Sequence, residues 1–514
     1  MKSFIRLLLF FCCSLYLVGC ASFKSDVQSR EHNNQQDDFL ITPQGELPEA
    51  AATTLLSPEL LLEELDLIRQ NLLSIHPQPF ARFSENEFQQ QFELLRSSIN
   101  YPLSRSEFYL RVAPLLANLR DIHSFIHLPK DQFGHFKYQN EKLFPLAVIL
   151  QSDNQLAKNK SNDRLYVAAD LSPQPSLSAG IEILSINQVS VSFLISVMKE
   201  LTVQETTSGQ NRKIQMNFAW LLAAMGYAGE TYQVEYLSQG AHHFVNLEGL
   251  EVPRNKLASP VSYYGFSQLN SSTALLWLND FNENQEVFES YLQDKFNQME
   301  KQGLTNLILD LRFNSGGLTE NLKSLLSKIT KTNIYWASKG KIKVSKQLQK
   351  NHRHKTKARR KSKYDKGLRW LPLEWTDSLQ HSIWWANEGE IISLQLDPIK
   401  PSNNFKPEKT WVLTNGFCYS ACSFFVASVN QFKLGKTIGE KPGSLARFQF
   451  AYPVAFTLPH SRLKVTFPTM RLDFVASEVE DLILPQEVVQ RNQLDIEAKH
   501  DPVMMRAIEQ AELY

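Results

Sequence analysis

Ser420 stands at a point in the sequence where a serine hydroxyl could act as a nucleophile. Residues 411–414 are apolar or β-branched and predict a short buried strand, Asn415-Gly416 break it, and apolar positions recur at helical spacing from Tyr419. A hydroxyl at such a junction lies near the free N–H groups of the first helical turn, which attract the negative charge of an oxyanion. A serine that only caps the helix fits the same pattern, so the interpretation depends on the rest of the chain.

His123 is the second residue whose side chain suits this chemistry. It lies in the segment Leu-Arg-Asp-Ile-His-Ser-Phe, residues 119–125, which follows a helical pattern over residues 108–119. An imidazole with a pKa of about 6.5 can take the proton of a hydroxyl at neutral pH and return it to a leaving amine. A single histidine at the end of a helix can equally be a surface or capping residue.

A glycine pair supplies the third part of a possible site. Residues 304–312 predict a buried strand that closes on charged residues, and Gly316 and Gly317 then turn into a helix from Glu320 to Ile329. Paired glycines permit a close backbone approach and can form a nest of N–H donors for an anion. Such a pair after a strand is also a common simple turn.

The surrounding patterns indicate three regions that must position these residues. Leucine, isoleucine and phenylalanine recur at helical spacing through residues 54–130 and predict a helical domain. Residues 140–262 mix strand and helix patterns, and residues 263–514 alternate buried strands with amphipathic helices. The last region holds both Ser420 and the glycine pair, whereas His123 belongs to the helical one.

In this order, the segments resemble the C-terminal processing, or tail-specific, serine protease family. Residues 307–317 resemble its strand and oxyanion loop, residues 412–421 its nucleophile segment, and residues 437–443 the segment that follows. His76-Pro77 and residues 119–125 match its helical cap, and Asp501-Pro502-Val503 match its closing segment.

The resemblance implies a mixed α/β (α+β) fold with a Clp-protease/crotonase-like catalytic core in residues 263–514. It further implies an N-terminal helical cap in residues 54–130 and a mixed, β-rich region in residues 140–262 that is partly PDZ-like. The strand entered through Gly180 resembles the carboxylate-binding loop of a PDZ module.

The resemblance also implies a mechanism. Relatives with a Ser-Lys dyad carry lysine directly after the position of Gly443, where this chain has Ser444. His123 instead fits the branch similar to the tricorn core protease and the retinoid-binding-protein relatives. That branch implies Ser420 as nucleophile and His123 as general base, and it assigns the oxyanion to backbone N–H groups, namely those of Ala421 and of Gly316 or Gly317.

A third catalytic member should orient the histidine. In the histidine branch this member is a glutamate that acts through a serine next to the histidine. Glu480 and Glu478 stand at about the right place for the acid, and Ser124 or Asp121 lies close enough to His123 to take part.

The first residues of the chain predict export and a lipid anchor. Lys2 and Arg6 accompany an apolar run over residues 4–18, which predicts a signal peptide over residues 1–19. Residues 17–20 resemble a bacterial lipobox, which implies cleavage before Cys20 and lipid, such as palmitate, on that residue. The alternative is a single membrane-spanning anchor. It is disfavoured because the apolar run is shorter than the about 20 residues that a membrane-spanning helix needs. Ala21 favours the outer membrane on its periplasmic side, and residues 20–53 form a polar tether.

Composition limits the class of partner. The chain has 514 residues, a net charge of +1 and 43% hydrophobic residues, which is typical of a soluble globular protein of two or three domains. Near neutrality argues against nucleic acid as a partner, and a peptide or protein substrate is expected. No metal or other cofactor is expected.

Two further features leave alternatives open. The basic insertion, residues 339–369, is either a solvated loop or a site for an anionic envelope component. Cys418 and Cys422 could be bridged, but their apolar setting favours two buried thiols. The alternative to a peptidase is a non-catalytic ligand- or lipid-binding envelope protein on the same fold.

Overall fold

The computed structural model describes residues 54–130, 142–153, 162–251, 264–351, 378–394, 396–402, 405–474 and 481–513. The predicted signal peptide and tether, with Cys20, lie outside these ranges. So do Glu478, Glu480 and residues 352–369 of the basic insertion.

Three helices open the described chain: α1 (Pro58–Ile75), α2 (Glu85–Ser98) and α3 (Arg105–Ala117). Ser84 and Ser104 start α2 and α3 with capping boxes, in which the serine hydroxyl and a glutamate three residues later satisfy each other's backbone N–H groups. The apolar faces of the helices are buried in one cluster. After α3 the chain passes through the turn that holds His123 into the short strand β1 (Phe125–Ile126).

The middle of the chain forms an antiparallel sheet with helices packed on it. In chain order its elements are β2 (Leu146–Asp153), β3 (Asn162–Asp170), β4 (Glu182–Ile186), β5 (Val189–Ser190), α4 (Val191–Leu201), α5 (Thr207–Leu222), a π-helical turn (Ala223–Tyr227), β6 (Thr231–Ser238) and β7 (Ala241–Glu248). The strand order is β2-β3-β4-β6-β7, with β5 paired to β4. Thr206 caps the N-terminus of α5, and Gly209 of this helix contacts Tyr419, the residue before Ser420.

The principal elements of the last region follow in chain order. They are β8 (Tyr264–Gln268), β9 (Thr273–Leu278), α6 (Gln285–Gln302), β10 (Asn306–Asp310), α7 (Thr319–Ile329), β11 (Ala337–Lys343), α8 (Ser378–Trp385), β12 (Ile391–Leu394), β13 (Lys409–Thr414), α9 (Ala421–Gln431), β14 (Lys436–Gly439), β15 (Phe448–Thr457), β16 (Lys464–Phe474), β17 (Glu487–Val488), α10 (Gln493–Glu497) and α11 (Pro502–Glu512).

Six of these strands form the sheet that positions the site, in the order β17-β14-β13-β10-β9-β8. All neighbours are parallel except β8, which runs antiparallel to β9. The central strands are almost continuously buried, as expected for a sheet covered by helices. Because Asp310 pairs with Leu413, β10 and β13 end side by side, and the loops after them meet at one edge.

A second sheet of this region joins it to the helical domain. Its order is β1-β16-β11-β12, with β15 paired to β16, and all its pairs are antiparallel. Phe125 of β1 pairs with Thr466 of β16, which fixes the end of the His123 turn. The predicted mixed α/β fold is confirmed. No helix in the described ranges has the length and hydropathy needed to cross a membrane.

Candidate active site

Ser420 lies between β13 and α9 in a strained backbone conformation. Its φ of 50° and ψ of −120° fall outside the regions that L residues favour. The side chain is half-buried and makes no capping hydrogen bond to α9. The interpretation of Ser420 as a helix cap is therefore wrong. Backbone strain of this kind persists where the surrounding structure enforces it, and it concentrates at functional sites.

A disulfide brackets this serine. Cys418 and Cys422 are bridged, with their Cα atoms 5.2 Å apart. The expectation of two thiols is wrong because the helix begins only at Ala421, so that Cys418 lies in the preceding turn, where the backbone brings the two residues within disulfide range.

Gly316 lies directly against Ser420. Its φ is +92°, and a Cβ atom there would come within 2.7 Å of the Tyr419 carbonyl oxygen and 2.9 Å of the Ser420 Cβ. No side chain fits in this space, which explains the glycine. The Gly316 N–H donates to Oδ1 of Asn314 at 2.9 Å, so this donor is already engaged.

Two other backbone donors remain at the same place. Among the described residues, neither the N–H of Gly317 nor that of Ala421 has a hydrogen-bond partner. The Cβ position built on Gly316 is 3.2 Å from the Ala421 nitrogen, so the glycine loop and the start of α9 are in contact. An oxyanion could be held by Ala421 and Gly317 without breaking an existing bond.

His123 lies beside a buried carboxylate, that of Asp121. Oδ1 of Asp121 accepts the backbone N–H of His123 at 3.0 Å and is 3.6 Å from its Nδ1, a buried atom that has no other partner in the described structure. Ser124 donates to Oδ2 of Asp121 at 2.5 Å. Ser124 therefore binds the carboxylate and not the imidazole, and Asp121 is the acid beside His123.

His76 is a further partner of Asp121. Nδ1 of His76 accepts the N–H of Gln78 at 3.0 Å, so Nε2 carries the proton and donates to Oδ2 of Asp121 at 3.3 Å. Burial lowers the pKa of His76 and keeps it neutral. Burial alone would raise the pKa of Asp121, but hydrogen bonds from His123 and His76 bring it well below its usual range. The carboxylate is therefore charged.

Glu205, which no sequence pattern marked, connects the two halves of the site. Its Oε1 accepts the N–H of Ile122, next to His123, at 3.1 Å. Its Oε2 accepts the N–H of Leu445 at 3.0 Å, and the neighbouring Ser444 hydroxyl accepts the N–H of Ser420 at 3.1 Å. The Ser420 loop and the His123 turn are thus held to one buried carboxylate.

The Ser420 hydroxyl and His123 are not directly hydrogen-bonded in the described structure. They lie on loops that share Glu205 as a partner, and this brings together residues that are distant in the sequence. In unliganded enzymes, hydrogen bonds of the catalytic groups are often long and shorten when substrate binds.

Lys213 of α5, which the sequence analysis did not single out, lies beside the Ser420 loop. Its Nζ is 5.2 Å from the centroid of the Tyr419 ring, and the Tyr419 hydroxyl donates to the carbonyl of Gly209 on the same helix. Burial lowers the pKa of Lys213 to about 8, while Glu205 and Asp121 act in the opposite direction. Helix α5 thus places a cation beside the residue that precedes Ser420.

The loop that resembles a PDZ carboxylate-binding loop is covered by the chain itself. Nε2 of Gln493 donates to the carbonyl of Gly180 at 3.1 Å, and a Cβ on Gly180 would overlap the Glu497 side chain. Elsewhere in the described ranges, no group of acidic, histidine or cysteine side chains could hold a metal ion.

Comparison with known proteins places the chain in a class. Residues 272–476 match the sequence model described as peptidase family S41, a span that includes Ser420 and the Gly316-Gly317 pair but not His123. No curated protein matches the sequence. The solved structure of mature CPAF complexed with lactacystin is 13% identical, with 89% of this chain and 98% of that chain covered at a TM-score of 0.59. Mature CPAF alone is 12% identical, with 88% and 96% covered at a TM-score of 0.58.

At these identities, the likeness to CPAF is one of fold, and it is consistent with the predicted Clp-like core. The protein is a serine peptidase. Its residues 272–476 form a peptidase family S41 domain, which confirms the predicted resemblance to the C-terminal processing serine proteases.

Proposed function

We propose that this peptidase cleaves peptide bonds through Ser420, with His123 as general base. The observation that carries the proposal is the backbone of Ser420, which is held at positive φ with its hydroxyl released from capping. Next to Ser420 and to the adjoining Gly316 in the chain are Ala421 and Gly317, whose N–H groups have no hydrogen-bond partner among the described residues.

The chemistry follows from these positions. The Ser420 hydroxyl attacks the peptide carbonyl while His123 takes its proton, and the N–H groups of Ala421 and Gly317 stabilise the oxyanion. The imidazolium then protonates the leaving amine, and water releases the acyl group by the same route in reverse. Loss of one oxyanion donor typically costs about 10²–10³ in turnover.

Asp121 is the third member in this proposal. Its charged carboxylate is 3.6 Å from Nδ1 of His123, the nitrogen that must keep a proton while Nε2 acts as base. Ser124 and His76 hold the other oxygen and so fix the carboxylate. Glu480, the acid named from the sequence, lies outside the described residues and is the competing candidate.

We also propose that this protein is a lipoprotein of the cell envelope. The lipobox-like segment supports a mature chain that begins at lipid-bearing Cys20, anchored in the outer membrane and facing the periplasm. For the basic insertion, residues 339–369, of which residues 339–343 belong to strand β11, the proposed partner is an anionic envelope component. Incorporation of labelled palmitate that Cys20→Ser abolishes, with release of the protein from the membrane fraction, supports the anchor. Unchanged incorporation contradicts it.

The nucleophile is tested with a serine-directed fluorophosphonate probe. Wild-type protein should be labelled, and Ser420→Ala should not. Ser428→Ala, on the same helix and with a hydroxyl that bonds only the Phe424 carbonyl among the described groups, serves as the control and should be labelled normally. Wild-type protein that stays unlabelled where another S41 peptidase reacts contradicts the proposal and favours the non-catalytic binding protein.

A further inference from the structure

We propose that Glu205 is a positioning residue for the reaction at Ser420, because it holds the nucleophile loop and the histidine turn in one fixed arrangement. This inference rests on the proposed function. It assigns a role to a residue outside the predicted Ser-His-acid set, on the segment that leads into α5.

The geometry of Glu205 is that of a two-sided clamp. One carboxylate oxygen binds the N–H of Ile122 and the other binds the N–H of Leu445, at 3.1 Å and 3.0 Å. These partners lie 83 and 240 positions away in the sequence, so the contacts tie the cap to the catalytic core. Hydrogen bonds from backbone N–H groups to a buried carboxylate are stronger than those to neutral acceptors.

Arg82 completes the clamp. Its Nη1 lies 3.1 Å from Oε1 of Glu205, and both side chains are almost fully buried. The same guanidinium donates to the carbonyls of Arg120 and Phe448, at 3.0 Å and 2.7 Å, and lies 4.4 Å from the centroid of the Phe448 ring. Arg82 therefore contacts the turn before His123 and the strand β15, which follows Ser444. Arg82, paired with Glu205, thus links the same two regions that the Glu205 carboxylate links, the His123 turn and the segment after Ser444.

The two hydrogen bonds of the Glu205 carboxylate indicate a role in positioning the site rather than in general stability, because both lead to residues next to the site. They reach the residue before His123 and the residue after Ser444, whose hydroxyl holds the Ser420 N–H. Releasing either bond lets one loop shift relative to the other. A misplacement of about 1 Å between reacting groups can cost about 100-fold in rate.

The test compares Glu205→Gln with the wild-type protein, and with Glu200→Gln as the matched control at an exposed position on α4. Probe labelling rate, kcat and KM on a peptide substrate, and Tm are measured on the full chain well below Tm. We expect the labelling rate and kcat of Glu205→Gln to fall about 100-fold, with KM within about threefold. Glu200→Gln should match the wild type.

If Glu205→Gln folds and keeps the wild-type labelling rate and kcat, the positioning role of Glu205 is overturned and the proposed function is not. A rise in KM with kcat unchanged has the same meaning. Wild-type protein that is not labelled at Ser420 overturns both this role and the proposed function. If Glu205→Gln does not fold, Glu205→Asp is measured instead. Aspartate keeps the charge but reaches only one loop, so the same fall in kcat is expected, and wild-type kcat overturns the proposal.

Discussion

The hydroxyl of Ser444 accepts the backbone N–H of Ser420 at 3.1 Å, at the position where relatives with a Ser-Lys dyad carry lysine. Ser444 is fully buried. In this chain, the residue at the position that supplies a proton acceptor in the dyad branch instead binds the backbone of Ser420. In the proposed function, His123 is the proton acceptor.

Ser444→Ala should therefore reduce activity through the backbone of Ser420. The Ser420 N–H loses its partner, which costs about 1–3 kcal/mol of stability, and the strained nucleophile turn relaxes. Probe labelling and Tm should both fall. Ser423→Ala is the control because its hydroxyl bonds the Cys418 carbonyl in the same loop without touching the Ser420 N–H. Equal labelling of the two variants would contradict this role for Ser444.

His123→Ala should lower kcat by about 10²–10⁴, the usual contribution of general acid–base catalysis. Lys441→Ala should keep the wild-type kcat, since Lys441 lies outside the proposed machinery. Measurement of kcat for both variants on one peptide substrate decides whether His123 or Lys441 is the general base. Activity that survives the loss of His123 but not of Lys441 would restore a Ser-Lys dyad.

Asp121→Asn should lower kcat by up to about 10⁴ with little change in KM. The carboxylate of Asp121 favours the His123 tautomer with its proton on Nδ1. An asparagine amide group can also donate to that nitrogen, so His123 can adopt the tautomer with its proton on Nε2, which cannot act as the base. Asp66→Asn removes the carboxylate of a more exposed ion pair, that with Arg96, and should be nearly silent. If Glu480→Gln is impaired and Asp121→Asn is not, the orienting acid is Glu480.

Gly316→Ala should abolish labelling, because the new Cβ would press on the Tyr419 carbonyl and the Ser420 Cβ. Gly240→Ala is the matched control. Gly240 also has a positive φ, +77°, but a Cβ there meets nothing within 4 Å, so only the backbone strain is added. Labelling and Tm are measured for both. Normal labelling of Gly316→Ala would show that the close approach of the two loops is not required.

Acid should destabilise the fold through buried histidines. Burial lowers the pKa of His127 to about 3, and its Nε2 lies 2.6 Å from the Thr466 hydroxyl. Below about pH 6.5 the unfolded chain binds a proton that the native residue does not, so stability falls as pH decreases from there toward 3, by at most about 1.4 kcal/mol per unit. Tm should drop between pH 7.5 and 5, and less so in His127→Gln. An equal drop in both proteins would contradict this.

Local patterns were sufficient to predict the strand, turn and helix around Ser420 and the glycine pair, because each depends on neighbours in the sequence. The role of Glu205 could not be predicted. Its partners are backbone N–H groups of Ile122 and Leu445, which any residue type would supply and only the folded chain brings near.

The error over the cysteines has a different cause. Both residues are buried, as their apolar setting predicted, but burial does not distinguish two thiols from a disulfide, and their Cα atoms are 5.2 Å apart, within disulfide range. Likewise, nothing in residue type reveals that Ser420 has positive φ. That strain comes from the packing of Gly316 and the bond to Ser444, which are tertiary contacts.

The pairing of β1 with β16 also joins distant parts of the chain. Phe125, two residues after His123, pairs with Thr466, and Glu205 binds the N–H of Leu445. The His123 turn therefore depends for its position on segments that follow Ser420 in the sequence, so a fragment that ends before β15 would lack this arrangement.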